Sequence, residues 1–352
     1  MKLSIQTLDK KALSKFMPIC NGRSPLPILS NLLLSANNDK LTVTASNLNV
    51  VIKQDFDATI TEPGDTTVPG KKLYDIVDRL TGDDIQFVAN DRNLTITQGA
   101  SKFSLPVMSA DDFPEFNAFP GQEISVTSNV LLEVIKKVSY AVSNDNSRFN
   151  LDNMLLEGNI AVATDGHRLA KMLTPFNLNT KILLPLVACQ AILKSVAPNE
   201  DCKITISDKQ LGVITGDVTL LCRLQDGDYP TWEKVIPTET GQVVTVKTSD
   251  IAQVLKRVSP MAVQTDMGIT VLVNNNTLTM KKESAMGSAE DSIEIEGSAV
   301  FEFIANAKYL ADCLGNIDDE TTKMSFVKDG APIIFSPESN DSFINLVMPM
   351  RK

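Results

Sequence analysis

The residues that bind transition metals are scarce in this chain. It has one histidine, His167, and five cysteines that are scattered, odd in number and without a C-x-x-C pair. Such cysteines are typical of reduced thiols in a cytoplasm, so they predict neither a disulfide framework nor a zinc site. We therefore expect a cytoplasmic protein that holds no metal and no other cofactor.

Long hydrophobic runs are also absent. The longest, ILLPLVAC at residues 182–189, is far shorter than the roughly 18 residues that a membrane-spanning helix needs. The N-terminal residues turn polar without the apolar block and cleavage site of a signal peptide. With 43% hydrophobic and 22% charged residues over 352 positions, the composition predicts a globular protein of about two or three domains and no membrane partner.

Net positive charge is the third absence. The formal net charge is −10, whereas proteins that bind nucleic acids usually carry a basic balance. Taken over the whole chain, the charge therefore argues against a nucleic-acid partner.

What the chain does contain is an internal repeat. TSNVLLEVIKKVSYAV (127–142) matches KTSDIAQVLKRVSPMAV (247–263) at an offset of 120 residues, and TLDKKALSKFM (7–17) is a weaker third match. The apolar positions recur at i, i+3, i+4 and i+7, which predicts an amphipathic helix in each repeat.

A second helix and a hairpin follow in the same order each time. The helical segments end in acidic turns and span residues 68–84, 184–201 and 304–320. The β-rich segments come directly after them, at residues 85–97, 203–215 and 323–335. The repeats predict an α+β fold of three tandem domains at 1–121, 122–242 and 243–352, each an internally duplicated helix–strand unit.

The segment VATDGHRLA (162–170) invites a catalytic hypothesis, because Asp165 and His167 could act as an acid–base pair. No G-x-S-x-G nucleophile motif accompanies them. In the first repeat, NLN (47–49) takes the place of DGH (165–167), which favours a turn between two strands or a binding surface. A hydrolase that uses Asp165 and His167 stays open as an alternative.

Charge is distributed unevenly among the predicted elements. The six predicted helices carry a summed charge of +6 and leave −16 for the rest of the chain; they cover residues 9–17, 70–80, 129–138, 186–197, 250–258 and 305–314. This pattern fits helices that share one face and meet phosphates there. It also fits lysine and arginine serving as good helix formers on a solvated face.

Four segments together resemble the bacterial sliding clamps, the β subunits of DNA polymerase III. They are LPILSNLLL (26–34), VATDGHRLA (162–170), DYPTWEKVIP (228–237) and the terminal VMPMR (347–351). The resemblance covers essentially the whole chain, and the combination of TDGHRL with a terminal MPMR is its most specific part.

The resemblance implies a DNA clamp fold with helices on the inner face and sheets outside. It implies a head-to-tail homodimer that closes into a ring around double-stranded DNA without reading its sequence. Such a protein is not an enzyme: it tethers the replicative polymerase, and it binds the clamp loader and other proteins that carry clamp-binding peptides. Weak phosphate contacts suit this role, since tight binding would prevent sliding.

The resemblance also implies three sets of site residues in this sequence. The hydrophobic peptide-binding pocket would consist of Arg148, Leu151, Thr164, Gly166, His167, Arg168, Leu169, Pro230, Val235, Leu346, Met348, Pro349 and Arg351. The DNA contacts would be Arg23, Lys71, Phe149 and Asn150. The dimer interface would pair Lys72, Lys102, Phe103 and Leu105 with Pro260, Met261, Glu290 and Asp291.

In that pocket we expect Arg148, Arg168 and Arg351 to anchor polar groups of a peptide, and Gly166 to let its backbone approach. The chain departs from the family where a basic pair is expected after the proline of the second helix. Leu186 and Val187 stand there, which puts DNA contact by the middle domain in doubt. A third interpretation is a monomeric scaffold that kept the pocket and lost the ring.

Overall fold

We analysed a computed structural model of the chain. It describes residues 1–6, 8, 10–20, 26–81, 84–116, 119–145, 150–239, 241–263, 265–285 and 287–351. Three predicted site residues, Arg23, Arg148 and Phe149, lie outside these ranges.

The described ranges contain seven α-helices. They are α1 (Lys10–Ser14), α2 (Met17–Cys20), α3 (Gly70–Val77), α4 (Ser128–Ser139), α5 (Leu186–Ser195), α6 (Thr248–Val258) and α7 (Ala307–Leu314). None of them is both long and apolar enough to cross a membrane.

The strands outnumber the helices. They are β1 (Lys2–Ile5), β2 (Asn31–Asn37), β3 (Lys40–Ser46), β4 (Val50–Asp57), β5 (Thr59–Glu62), β6 (Gly64–Pro69), β7 (Ile85–Ala89), β8 (Asn93–Gln98), β9 (Ser101–Pro106), β10 (Gln122–Thr127), β11 (Asn153–Thr164), β12 (Arg168–Pro185), β13 (Asp201–Ile206), β14 (Gln210–Thr215), β15 (Val218–Arg223), β16 (Gln242–Lys247), β17 (Gly268–Ser284), β18 (Gly287–Asn306), β19 (Thr321–Phe326), β20 (Ile333–Pro337) and β21 (Phe343–Val347).

The helical periodicity identified α4 and α6 correctly. In α6 the positions Ile251, Val254, Leu255 and Val258 are all buried, so the apolar stripe faces the core as the spacing predicts. The prediction of one helix over residues 9–17 was wrong, because α1 and α2 are separate. Pro18 lacks the N–H that a continuous helix would need at that point.

The three predicted hairpins are present. The strand pairs β7–β8, β13–β14 and β19–β20 are each antiparallel neighbours in a sheet. Each pair follows the second helix of its repeat, which is the order that the sequence predicts.

The described residues form two compact units, and the first combines Met1–Leu132 with Val187–Gln225. It contains a five-stranded sheet of order β5-β1-β7-β8-β9 and an eight-stranded sheet of order β10-β13-β14-β15-β4-β3-β2-β6. In the larger sheet, β15 of the middle repeat pairs antiparallel with β4 of the first repeat, from Val218 opposite Gln54 to Cys222 opposite Val50.

The second unit combines Glu133–Leu186 with Asp226–Lys352. Its eight-stranded sheet has the order β11-β12-β21-β20-β19-β16-β18-β17. Here β21 of the third repeat pairs antiparallel with β12 of the middle repeat, from Arg168 opposite Val347 to Met172 opposite Phe343. Hydrogen-bonded sheets thus cross both predicted seams, and for this reason the compact units do not coincide with the repeats.

Candidate ligand-binding site

The TDGHRL segment forms the turn between β11 and β12 in the second unit, as the sequence predicts. Asp165 Oδ1 accepts hydrogen bonds from the backbone N–H groups of His167 and Arg168, at 2.9 and 3.0 Å. Gly166 has a φ of 85°, a left-handed conformation that glycine adopts without steric cost. The Asp-x-x arrangement therefore closes the turn by itself.

Thr164 fixes the other side of the turn. Its hydroxyl donates to the carbonyl of Arg168 at 2.6 Å and accepts from the N–H of Gly166 at 3.0 Å. Its own N–H donates to the phenol oxygen of Tyr229 at 3.1 Å. Burial raises the pKa of Tyr229, so its phenol stays neutral and remains a hydrogen-bonding partner for the turn.

Arg168 lies beneath the turn and is only 6% exposed. Its Nε donates to Asp165 Oδ2 at 3.0 Å, and its Nη1 donates to Asp312 Oδ2 at 2.5 Å. The expectation that Arg168 offers a free anchor to a peptide was therefore wrong. A buried guanidinium needs such partners, because an unpaired charge in the interior is costly.

Two tyrosine rings complete the surroundings of Arg168. Its guanidinium carbon lies 4.7 Å from the ring centre of Tyr309 and 5.3 Å from that of Tyr140, within the range of cation–π attraction. Tyr140 also donates to Asn345 Oδ1 at 2.5 Å. Burial is the main cause that raises the pKa of Tyr140.

An apolar cluster lies next to the turn. Its buried members are Leu155, Val162, Leu169, Leu183, Tyr229, Trp232 and Leu346. Leu151 packs against the cluster from its edge, so three of the predicted pocket residues meet here. The loop that supplies Tyr229 and Trp232 leaves Pro230 and Val235 exposed. The cluster thus forms an apolar core next to the turn, with exposed residues of this loop beside it.

The C-terminal segment runs along the turn. The N–H of Met348 donates to the carbonyl of His167 at 2.8 Å, and the N–H of Met350 donates to the carbonyl of Ile304 at 2.7 Å. A cavity of about 480 Å³ opens beside this segment, lined by His167, Asn306, Tyr309, Met348, Pro349, Met350 and Arg351. The structure thus brings His167 together with the predicted Met348, Pro349 and Arg351.

Sequence reasoning missed Asn306 and Tyr309. The carboxamide oxygen of Asn306 accepts from the N–H groups of Lys308 and Tyr309, at 2.9 and 3.3 Å, and so caps α7. The ring of Tyr309 stacks against that of His167, with centroids 6.3 Å apart and an angle of 17° between the planes. An asparagine between a strand and a helix was the available signal, but no local motif connects it to His167.

Comparison with known proteins fixes the family. Models of the N-terminal, central and C-terminal domains of the DNA polymerase III beta subunit match residues 1–117, 125–231 and 233–351. The chain belongs to the DNA polymerase III beta subunit family.

Relatives and solved structures of this family match the chain along its full length. The beta sliding clamp of Caulobacter vibrioides is 29% identical over 100% of both chains, and that of Pseudomonas aeruginosa is 28% identical over 98% of this chain and 99% of its own. Among solved structures, Caulobacter crescentus pol III beta aligns with a TM-score of 0.89 at 28% identity. The Pseudomonas aeruginosa clamp bound to griselimycin aligns with a TM-score of 0.90 at 26% identity. Both alignments cover 100% of each chain, and the three tandem domains have the clamp fold.

Two of the predicted DNA contacts lie in different surroundings. Lys71 is exposed on α3 and forms an ion pair with Asp75 at 2.9 Å, which lowers the pKa of Asp75. It lines a cavity of about 550 Å³ together with Lys194 of α5, a residue that the sequence had not singled out. Asn150 is engaged within its own unit, because its amide donates to the carbonyl of Asp228 at 2.6 Å.

The predicted interface residues of the first repeat divide into surface and core. β9 is an edge strand, as expected. Lys72 and Lys102 are exposed. Phe103 and Leu105 share the face of β9 that points toward the core, and Leu105 is only 7% exposed. Its side chain therefore stabilises the subunit itself more than it offers a free apolar surface.

The predicted interface residues of the third repeat lie around the β17–β18 hairpin. Pro260 and Glu290 are exposed, and Met261 is half-buried. Asp291 accepts a hydrogen bond from Nε of Arg257 in the same chain. Asp291 therefore already has a cationic partner, whereas Glu290 presents its carboxylate at the surface.

Proposed function

We propose that this chain is a non-catalytic sliding clamp that acts in the cytoplasm. Two copies close head to tail around double-stranded DNA, with domain seams near residues 121 and 242. The ring then tethers the replicative polymerase, and the clamp loader and other peptide-bearing proteins use the same pocket. The observation that carries the proposal is the pattern of paired and unpaired sheet edges.

Both internal seams use the same pairing. The last strand of one repeat, β15 or β21, pairs with the second strand of the turn-containing hairpin in the preceding repeat, β4 or β12. A backbone edge that another strand completes satisfies its hydrogen-bonding groups. Each repeat thus has two kinds of pairing edge. One is the edge of its last strand, and the other is the edge of the strand that follows the turn.

One edge of each kind is left over among the described residues. β9, the last strand of the first repeat, pairs only with β8. The start of β18 is the counterpart in the third repeat of β4 and of the start of β12. Its residues 287–294 pair only with β17 among the described residues. A second copy of the chain supplies the missing partner for each edge, which makes the contact head to tail.

Opposite charges on these edges support the pairing. Exposed Lys102 lies on β9, and exposed Glu290 and Glu294 lie on the free segment of β18. Charged groups at an interface favour the arrangement in which opposite signs face each other.

The proposed DNA contact depends on the basic helices. Lys71 and Lys194 flank one cavity on α3 and α5, and Arg23, Phe149 and Asn150 remain predicted contacts. Contacts of this kind are made to phosphates and carry no sequence information. They suit a protein that moves along the duplex.

The TDGHRL turn serves binding and not catalysis in this proposal. The Asp165 carboxylate closes the turn and holds Arg168, and His167 forms one wall of the cavity beside the C-terminal segment. Apolar and methionine side chains form an adaptable surface for several ligands. Griselimycin, which is bound to the Pseudomonas aeruginosa clamp, is the probe that we propose for this pocket.

Retention on circular DNA tests the ring. The protein is loaded onto nicked circular duplex, and the fraction bound is followed before and after the circle is cut once. We expect persistent binding to the circle and rapid loss from the linear form, since only topological linkage depends on DNA ends. Equal loss from both forms would refute the clamp.

Charge reversal tests the seam. Glu290→Lys places like charges opposite Lys102, so sedimentation should shift the chain toward monomer. Glu157→Lys, an exposed glutamate on β11, is the matched control and should remain dimeric. A dimer that tolerates Glu290→Lys as well as the control would move the interface elsewhere.

A further inference from the structure

The ion pair between Arg168 and Asp312 connects two elements that border the proposed ligand site. We propose that Asp312 is a positioning residue for this site: through Arg168 it holds Tyr309 in place as a wall of the cavity. The inference rests on the proposed function, because it concerns how the same pocket recognises its ligands. Asp312 does not line that cavity, so its effect must be transmitted through Arg168.

The geometry gives the route of the effect. Asp312 follows Tyr309 by three positions on α7, so both side chains lie on one side of the helix. The Arg168 guanidinium donates to Asp312 Oδ2 at 2.5 Å, and its carbon lies 4.7 Å from the Tyr309 ring centre. One cation therefore contacts both residues and fixes the distance between α7 and the TDGHRL turn.

The position of Arg168 is itself well determined. Asp165 holds Nε at 3.0 Å, and the backbone of Arg168 is in register with Val347 of β21. Because the C-terminal segment continues from β21, the pair with Asp312 relates α7 to the two other elements that border the cavity. Loss of the pair leaves α7 anchored mainly by its own core residues Leu310, Cys313 and Leu314, which are buried.

The neutralised guanidinium also determines the chemistry of the cavity. Asp165 and Asp312 offset the charge of Arg168, so the aromatic rings of His167 and Tyr309 line the cavity without an unpaired Arg168 guanidinium beside them. The cation that lines the cavity is Arg351. The ligand group that fits between these rings and Met348 is therefore an apolar one.

The test is a double-mutant cycle with griselimycin as the probe. Binding is measured by calorimetry on the full-length protein, for wild type, Asp312→Asn, Tyr309→Ala and the double variant. We expect Asp312→Asn to weaken binding about tenfold, the size of effect that transmitted couplings have. In the Tyr309→Ala background the same substitution should cost nothing further, because the residue through which it acts is gone.

Controls separate positioning from loss of structure. Asp318→Asn, at a carboxylate that pairs with Lys137 at 3.4 Å in the same unit, should bind like wild type. Asp312→Glu retains the charge and should recover most of the affinity. Melting curves identify any variant that fails to fold, and if Asp312→Asn does so, Asp312→Ser takes its place in the cycle with the same expected loss.

The outcomes distinguish the two proposals. If wild type binds griselimycin and Asp312→Asn binds it equally well, the positioning role is refuted and the pocket stands. If Asp312→Asn weakens binding as much in the Tyr309→Ala background, the route through Tyr309 is refuted. If wild type does not bind, or Tyr309→Ala has no effect, the pocket assignment falls and the positioning role falls with it.

Discussion

Two turns at corresponding places in the first and middle repeats are closed by the same pattern of hydrogen bonds, in which side-chain oxygens accept from backbone N–H groups. Asn47 Oδ1 accepts from the N–H groups of Asn49 and Val50, at 3.1 and 2.8 Å, as Asp165 does two and three residues further along its own turn. A hydroxyl one residue earlier accepts from the following turn in both cases. The backbone N–H of Arg223 donates to the carbonyl of Asn49 at 2.7 Å, as the backbone N–H of Met348 does to the carbonyl of His167.

The side chains on this shared backbone differ. Leu48, with a φ of 73°, takes the place of Gly166 and is 43% exposed. Val50 takes the place of Arg168. The first turn lies against Arg223 at the end of β15, after which the chain continues through the middle repeat. The second turn lies against the C-terminal segment. The scaffold is therefore a property of the repeat, and a few substitutions on it distinguish the proposed binding site.

Removing the C-terminal segment tests this view most severely. Deletion of residues 348–352 should abolish griselimycin binding, because Met348, Pro349 and Arg351 line the cavity. Two backbone hydrogen bonds are lost with them, worth about 1–3 kcal/mol of unfolding free energy in total. Calorimetry and thermal melting measure the two effects. Undiminished binding by the truncated chain would show that the cavity is not the site.

Gly166 and Leu48 occupy the same position in the two turns, and we expect that only the change at Gly166 affects ligand binding. We expect Gly166→Leu to weaken griselimycin binding roughly 100-fold, since an exposed leucine directly before His167, which lines the cavity, would crowd the ligand at a cost of up to about 3 kcal/mol. Leu48 shows that the corresponding turn folds with leucine at this position, at a cost in backbone strain. The matched variant Leu48→Gly should leave binding unchanged and raise stability by about 1 kcal/mol, because a non-glycine residue with positive φ is strained.

The residues that close the turns should contribute unequally to stability. Asn47→Ala removes two hydrogen bonds at a surface turn, and we expect a loss of about 1 kcal/mol. Asp165→Ala also removes a partner of the buried Arg168, so the loss should reach about 3 kcal/mol. Denaturant titration measures both. Equal losses would mean that Arg168 is fully satisfied by Asp312.

The buried thiols make the stability of the protein sensitive to alkaline pH. Burial raises the pKa of Cys222, which faces Val50 across the first seam, to about 12, and that of Cys20 to about 12. The unfolded chain releases these protons near pH 9 while the folded chain keeps them, so stability is full below that pH and falls as pH rises toward 12. Melting temperatures at pH 8 and pH 10 test this. Replacement of both residues by alanine should reduce the difference without removing it, because burial also raises the pKa of Cys189, Cys202 and Cys313.

Sequence patterns predicted a large part of the fold. Periodicity located α4 and α6, and the repeat placed the TDGHRL turn between strands. Periodicity did not reveal the break between α1 and α2, because a proline acts through its missing N–H and not through hydrophobicity. The alignment of NLN (47–49) with DGH (165–167) was correct, because the two turns have equivalent hydrogen bonds although their sequences differ.

The binding site was less accessible from sequence. Leu169 and Leu346 were assigned to the pocket by resemblance, and both are buried members of the apolar cluster next to the turn. The burial of Arg168 could not be foreseen, because its partner Asp312 lies 144 positions away. Asn306 and Tyr309 were missed for the same reason: their proximity to His167 is created by the pairing of β12 with β21.

The unpaired sheet edges have a consequence for how copies recognise each other. An edge strand with unpaired backbone groups can pair with a strand of another chain, and unrestricted pairing of this kind yields aggregates or filaments. Two β9 edges that met would bring Lys102 side chains together, and two β18 segments would bring Glu290 and Glu294 side chains together. Like charges thus oppose both symmetric encounters and favour the proposed head-to-tail contact.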